Sequence, residues 1–465
     1  MTRSLLALAG VVVLAGCDAQ PSTPDLDAQL LDAVTAASGG EGAGAFLLPE
    51  ADDLAAIPQD PRNPLTPEKV ALGRVLFHET ALAVNATKPE GVGTYSCASC
   101  HHASAGFRAG VPQGIGEGGV GFGRFGERRV PSPDYAAAEL DTQPIRSPSA
   151  LHSAWQDVML WNGQFGATGT NAGTEASWTA GTPIETNRLG YQGVETQAIA
   201  GLTVHRLQDG PAAVYATVPT YRVLFDAAFP GWPAGARATA ETAGLAIAAY
   251  ERTLVATRAP FQRWLRGEAG AMSMAQKRGG LVFFGRANCA TCHAGPTLAS
   301  TSFHALGMGE LVGPGVFSDF NPTDPVHLGR ASFTQRDGDR YRFKTPQLYN
   351  LADDGFFGHG ATFNTVREVV EYKNAAVPQS ALVPTDRLSP EFRPLRLTMD
   401  EVDDLVAFLE RALYDPDLSR YVPLSIPSGQ CFPNNDAETR RDVGCGATAA
   451  RPLRPVGRAL RTGWR

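Results

Sequence analysis

Cys97-Ala98-Ser99-Cys100-His101 and Cys289-Ala290-Thr291-Cys292-His293 decide how this chain is organised. Each is a CxxCH run. Each follows an apolar stretch with helical spacing: Leu72-Gly73-Arg74-Val75-Leu76-Phe77 before the first, Gly280-Leu281-Val282-Phe283-Phe284 before the second. The two copies lie far apart in a chain of 465 residues, a length that suggests about two to three domains. The repeat therefore predicts two similar domains, not one shared four-cysteine metal cluster.

CxxCH has a specific chemistry. The two thiols add to the vinyl groups of a haem as thioethers, and the histidine that follows reaches the iron as proximal ligand. Cys97, Cys100 and His101 are thus expected to hold one haem c, and Cys289, Cys292 and His293 a second. Four-cysteine zinc sites space their pairs more closely. A thioredoxin-like pair does not call for the histidine, here present twice. His102 reads as a surface residue or a neighbour of a haem propionate. A haem with six strong ligands carries electrons, whereas an open face reacts with small oxidants. Two haems invite that division of labour.

The flanks speak for export. Arg3 and the apolar run Leu5 to Ala15, too short to span a bilayer, precede Leu14-Ala15-Gly16-Cys17, which resembles a lipobox. Residues 1–17 are read as a lipoprotein signal, with a lipid on Cys17 as membrane tether. Residues 18–55 are rich in Ala, Gly, Asp and Pro and are expected to form a flexible tether. The first haem domain is placed at 56–240, the second at 241–415 and a C-terminal tail at 416–465. Cys431 and Cys445 are expected to pair in an oxidising compartment. Helices are predicted from a Thr66 cap onward, over Glu241–Leu265, Gln276–Phe284, Thr365–Lys373 and Thr398–Leu413; 106–134 and 166–181 read as loops. The net charge of -7, with no basic block, argues against nucleic acid as a partner.

Beyond the CxxCH runs, Ser147-Pro148-Ser149, Leu160-Trp161-Asn162-Gly163, Phe343-Lys344-Thr345-Pro346 and Gly358-His359-Gly360 complete a resemblance. From about Pro58 to Ala412 the chain resembles the bacterial di-haem cytochrome c peroxidases and the related methylamine-utilisation di-haem enzyme. The resemblance implies a mainly α fold of two cytochrome c-like domains. It implies that the first haem reacts with peroxide, that the second relays electrons, and that Trp161 lies between them. Gln197 matches a distal glutamine. The family's catalytic glutamate falls on Leu207, so His205 is the expected acid–base group, with Glu195 a weaker candidate and a core histidine the bland alternative. The histidine that leaves the first iron on activation in many members has no counterpart between His102 and His152, so that haem is expected to be five-coordinate. The second haem's sixth ligand falls on Lys373, with Tyr372 beside it and Met308 a distant third; no sixth ligand is the remaining alternative. The family's interdomain calcium falls on Arg146 and Asp354. Calcium is therefore not expected, and a bidentate ion pair takes its place.

The resulting expectation is reduction of hydrogen peroxide in the periplasm, with electrons from a small c-type cytochrome or cupredoxin. Oxidation of organic or protein substrates, and electron carriage without catalysis, are the alternatives. A homodimer is compatible with this reading.

Overall fold

Thr66 caps the helix that leads to the first CxxCH, accepting a hydrogen bond from the Lys69 amide at 3.3 Å with Pro67 at the first helical position. The computed structural model describes residues 23–445; Cys17 and the proposed signal lie outside the described residues. The helices are α1 (Thr23–Ala37), α2 (Pro67–His78), α3 (Gly193–Val204), α4 (Gly210–Thr217), α5 (Pro219–Ala228), α6 (Ala240–Arg252), α7 (Pro260–Leu265), α8 (Met274–Leu281), α9 (Ala331–Thr334), α10 (Val366–Ala375), α11 (Met399–Ala407) and α12 (Ala437–Asp442). Two short antiparallel ribbons pair β1 (Gly119–Val120) with β2 (Val130–Pro131), and β3 (Phe303–His304) with β4 (Phe343–Lys344).

Two large apolar cores form among the described residues, one per CxxCH, beside two small clusters. In the first, α2 and α3 pack on α6 around Leu72, Leu76, Leu245 and Tyr250. In the second, α8 packs on α11 around Phe283, Leu405 and Phe408. Both helix pairs cross at a glycine. A Cβ on Gly73 would sit 1.8 Å from the Ala246 carbonyl oxygen, and one on Gly279 would sit 1.9 Å from that of Asp404. Only glycine lets backbones approach so closely.

Four expectations need correction. Residues 23–55 are not a loose tether: α1 lies on α8, with Leu30 and Val34 in the second core, and Asp27 meets the Lys277 ammonium at 2.6 Å. The first domain does not end at 240, because α6 belongs to its core; the crossover comes near Ala256. The helix predicted over Glu241–Leu265 is two helices, broken before Pro260, which lacks the amide a continuous helix needs. The tail beyond 416 returns to the first domain. Leu418 and Tyr421 enter its core, the Ser96 hydroxyl donates to the Pro433 carbonyl at 2.9 Å, and Cys431 and Cys445 form the expected disulfide. Each end of the described chain thus covers the domain farther from it in sequence.

The domains meet along two matching segments, Ser147–Phe165 and Thr345–Phe363. His152 and Asn350, Leu160 and Gly358, and Gly163 and Ala361 occupy matching positions with positive φ. Met159 bridges Phe165 as Phe357 bridges Phe363. The contacts across the seam are reciprocal. The Arg146 amide donates to the His359 carbonyl at 2.9 Å, and the Lys344 amide donates to the Trp161 carbonyl at 2.8 Å.

Candidate haem sites

Each CxxCH closes into the same tight turn. The His101 amide donates to the Cys97 carbonyl at 3.1 Å, and the His293 amide to the Cys289 carbonyl at 2.9 Å. Cys97, Cys100, Cys289 and Cys292 are free thiols. Burial pushes Cys97, Cys100 and Cys289 up to about 12, which keeps them neutral.

The two histidines are prepared alike. His101 Nδ1 lies 3.3 Å from the Phe107 carbonyl, and His293 Nδ1 lies 3.0 Å from that of Leu298. Phe107 and Leu298 both have positive φ, the turn that aims each carbonyl back at the ring. A carbonyl only accepts, so Nδ1 carries the hydrogen and Nε2 keeps its lone pair for iron. Burial lowers both rings to about 4, against the help of those carbonyls, so both are neutral at physiological pH. These residues fit haem c twice over.

A cavity of about 310 Å³ opens at the second CxxCH. Cys289, Cys292, His293, Lys373 and Met308 line one part, and Trp161 and His359 another. Lys373 comes from the last turn of α10; burial lowers it to about 8, opposed by the cysteines. Tyr372 does not share its fate. Its ring packs between Phe363 and Phe392, its hydroxyl donates to the Leu306 carbonyl at 2.5 Å, and it does not line the cavity. The expectation that Tyr372 could ligate is corrected by this rotation. Successive helical residues point about 100° apart.

At the seam, the Trp161 indole donates to the Arg146 carbonyl at 2.8 Å and meets the His359 ring edge-on at 6.2 Å. Arg146 therefore ties Trp161 to His359 through its own peptide groups. Its guanidinium reaches Asp354 Oδ1 at 2.5 Å, while Arg108 stands 3.5 Å from Oδ2. The expected pair is present, but it is not bidentate. Asp354 is shared by two arginines, and the remaining Arg146 nitrogens donate to the Phe356 and Val111 carbonyls.

Beside the first CxxCH, α3 carries Gln197, and His205 caps its C-terminal end. His205 Nδ1 bonds Asp141 at 2.9 Å. Glu195 is fully buried and committed to Arg252 at 2.6 Å, so its carboxylate has no catalytic freedom. Leu207 sits in the first core. His102 is not at the surface; it is buried against Phe122, with Nδ1 bonded to Ser104. Sequence reasoning missed Arg108 and Asp141. Both lie in segments without periodicity, and no local signal marks them.

Known proteins bear on this geometry. The family model described as di-haem cytochrome c peroxidase matches residues 67–270. The methylamine utilization protein MauG of Methylorubrum extorquens is 31% identical over 77% of this chain and 82% of its own. The chain belongs to the di-haem cytochrome c peroxidase family. Cytochrome-c peroxidase IdrP1 of Denitromonas iodatirespirans is 30% identical over 81% of this chain and 89% of its own. A crystal structure of a MauG-like protein associated with microbial copper homeostasis shares the fold, with a TM-score of 0.54 at 24% identity over 80% of this chain and 95% of that one. As a di-haem peroxidase family member the chain is an oxidoreductase, and its two CxxCH runs answer to the two c-type haems of the family.

Proposed function

We propose that the protein reduces hydrogen peroxide to water at the first haem, with electrons from a small c-type cytochrome or cupredoxin that enter through the second. Each peroxide takes two electrons and two protons. The haems supply the redox chemistry; the chain's own residues attach them, set their open faces and move protons. His101 and His293 would hold the irons, their rings oriented by the Phe107 and Leu298 carbonyls. Lys373 would be the further ligand of the second haem: burial brings its pKa down to about 8, so the ammonium gives up its proton readily and frees a lone pair for the iron. The first haem would keep an open coordination position, and Gln197 and His205 would serve the peroxide bound there. His205 takes a proton from one peroxide oxygen and returns it to the other.

The observation that carries this reading is the Trp161–Arg146–His359 contact. The indole lies on the wall of the second cavity, and Pro148, which faces the same cavity, also helps hold the proton of His101 through its carbonyl. Trp161 is thus the natural relay between the two irons. The Arg146–Asp354 pair takes the role of an interdomain calcium. We place the protein in the periplasm, tethered by a lipid on Cys17. The test is peroxide-dependent oxidation of a reduced small cytochrome by the purified holoprotein. Turnover supports the proposal, and its absence with an intact pair of haems removes it.

Leu207 favours one second reading. With the glutamate position apolar, the same haems would oxidise an organic or protein substrate, and turnover would then depend on that substrate and not on a reduced cytochrome.

A further inference from the structure

Asp141 and His205 meet beside the first CxxCH, although no sequence pattern joins them. The Asp141 carboxylate is 4% exposed and spans the imidazole, with Oδ2 at 2.9 Å and Oδ1 at 3.1 Å from Nδ1. Its backbone is pinned on both sides: the amide donates to the Glu117 carbonyl at 3.0 Å, and the carbonyl accepts from the Gly116 amide at 2.9 Å. A Cβ on Gly116 would come within 2.2 Å of Oδ2, so the glycine makes room for the carboxylate. Two electrostatic couplings locate the couple. The charge of His205 acts on the His101 ring, and that of Asp141 acts on the Cys100 thiol.

We propose that Asp141 is a positioning residue that orients His205 for proton transfer at the first haem. This rests on the acid–base reading of His205 given above. A carboxylate only accepts, so Nδ1 carries the hydrogen and Nε2 is left as the working atom. No described residue bonds Nε2, and 39% of the side chain remains open. Asp141 fixes the tautomer and steadies the imidazolium that forms when Nε2 takes the peroxide proton. The shuttle returns that proton to the second oxygen, so it adds nothing to the net stoichiometry. The carbonyl end of α3 favours the same positive charge. The couple supplies the function at a place where Leu207, 1% exposed, offers no proton.

The surroundings set the sign of a pH test. Burial opposes a charge on His205, but the Asp141 charge and hydrogen bond outweigh it and raise its pKa; Arg206 acts the other way. Arg206 is itself paired with Glu117 at 2.5 Å, and Tyr135 bonds the same carboxylate at 3.0 Å. Tyr95 and Arg129 also feel Asp141. The base form of His205 is the neutral ring, so the rate of peroxide consumption climbs with pH through its pKa.

The experiment measures single-turnover peroxide consumption by the two-haem holoprotein between about pH 5 and 9, where imidazole titrates. It compares the parent with Asp141→Asn, Asp141→Glu and His205→Gln, each checked for intact haem content. Asp141→Asn is expected to lower the plateau rate about 10-fold or more and to move the rising limb to lower pH. Asp141→Glu is expected to restore part of both. If His205→Gln loses the limb while Asp141→Asn leaves plateau and limb unchanged, the Asp141 proposal is overturned and the His205 reading stands. If His205→Gln itself changes nothing, the reading beneath it falls too.

Discussion

Arg146 and Lys344 hold matching places on the two sides of the domain seam, yet their partners differ. Arg146 faces the carboxylate of Asp354. Lys344 faces Gln156, which occupies the place matching Asp354, and also donates to the Val158 carbonyl at 2.9 Å. One half of the pseudo-twofold is therefore a buried ion pair and the other a buried amine without a carboxylate on it. The consequence is electrostatic. Burial lowers Lys344 to about 7, with only the more distant charge of Asp157 opposing it. The haem sites show the same pattern of matching backbone and divergent side chain. Both CxxCH turns and both histidine rings are alike, but Lys373 lines the cavity at the second, whereas His205 on Asp141 lies beside the first. Duplicated scaffolds keep the group that holds the iron and vary what faces it.

The comparison can be broken one half at a time. The largest effect is expected from the haem attachments. Cys97→Ser with Cys100→Ser should remove one haem and abolish the reaction with peroxide even in a single turnover, while Cys289→Ser with Cys292→Ser should remove the other haem and abolish donor-driven turnover but leave the single-turnover reaction with peroxide. Intact mass and single-turnover kinetics distinguish the two. Next is Trp161→Phe, which keeps much of the bulk but loses the indole. It should slow electron transfer between the haems at least ~10-fold, equivalent to about 1.4 kcal/mol in barrier, with both absorption spectra unchanged.

The two staples come third. Asp354→Ala leaves two guanidiniums without their carboxylate and should cost about 3–5 kcal/mol in denaturant unfolding. Gln156→Glu sharpens the contrast from the other side. In the parent, the folded pKa of Lys344 lies near 7 and the unfolded one at 10.5. Between those values the unfolded chain binds the extra proton, so stability should rise with pH across that window. Gln156→Glu restores the charge on Lys344 and should flatten the rise; Lys344→Met should remove it. The smallest effects are expected at the helix crossings. Gly73→Ala and Gly279→Ala each force a methyl into a carbonyl and should each cost about 1–3 kcal/mol, each loosening its own domain.

Much of this was legible in the sequence, because CxxCH is a covalent requirement and does not depend on context. The cap at Thr66 and the apolar run to Phe77 were equally local. What escaped was long-range. Leu26, Leu30 and Val34 recur every fourth residue, enough to mark α1 as a packed helix, but the Ala- and Asp-rich composition around them obscured the stripe. Which core α6 joins cannot be read from its own residues. The family resemblance brought Lys373 and Tyr372 forward together, and only the rotation of α10 separates them. Asp141 and Arg108 carry no signature at all, since each acts through a partner far away in the chain.

The central claim is that two like domains hold two unlike irons, the first open and the second closed by Lys373. Electron paramagnetic resonance of the oxidised holoprotein addresses it directly. The account predicts one high-spin and one low-spin haem, with Lys373→Ala converting the second to high spin. Two low-spin signals in the parent would contradict it.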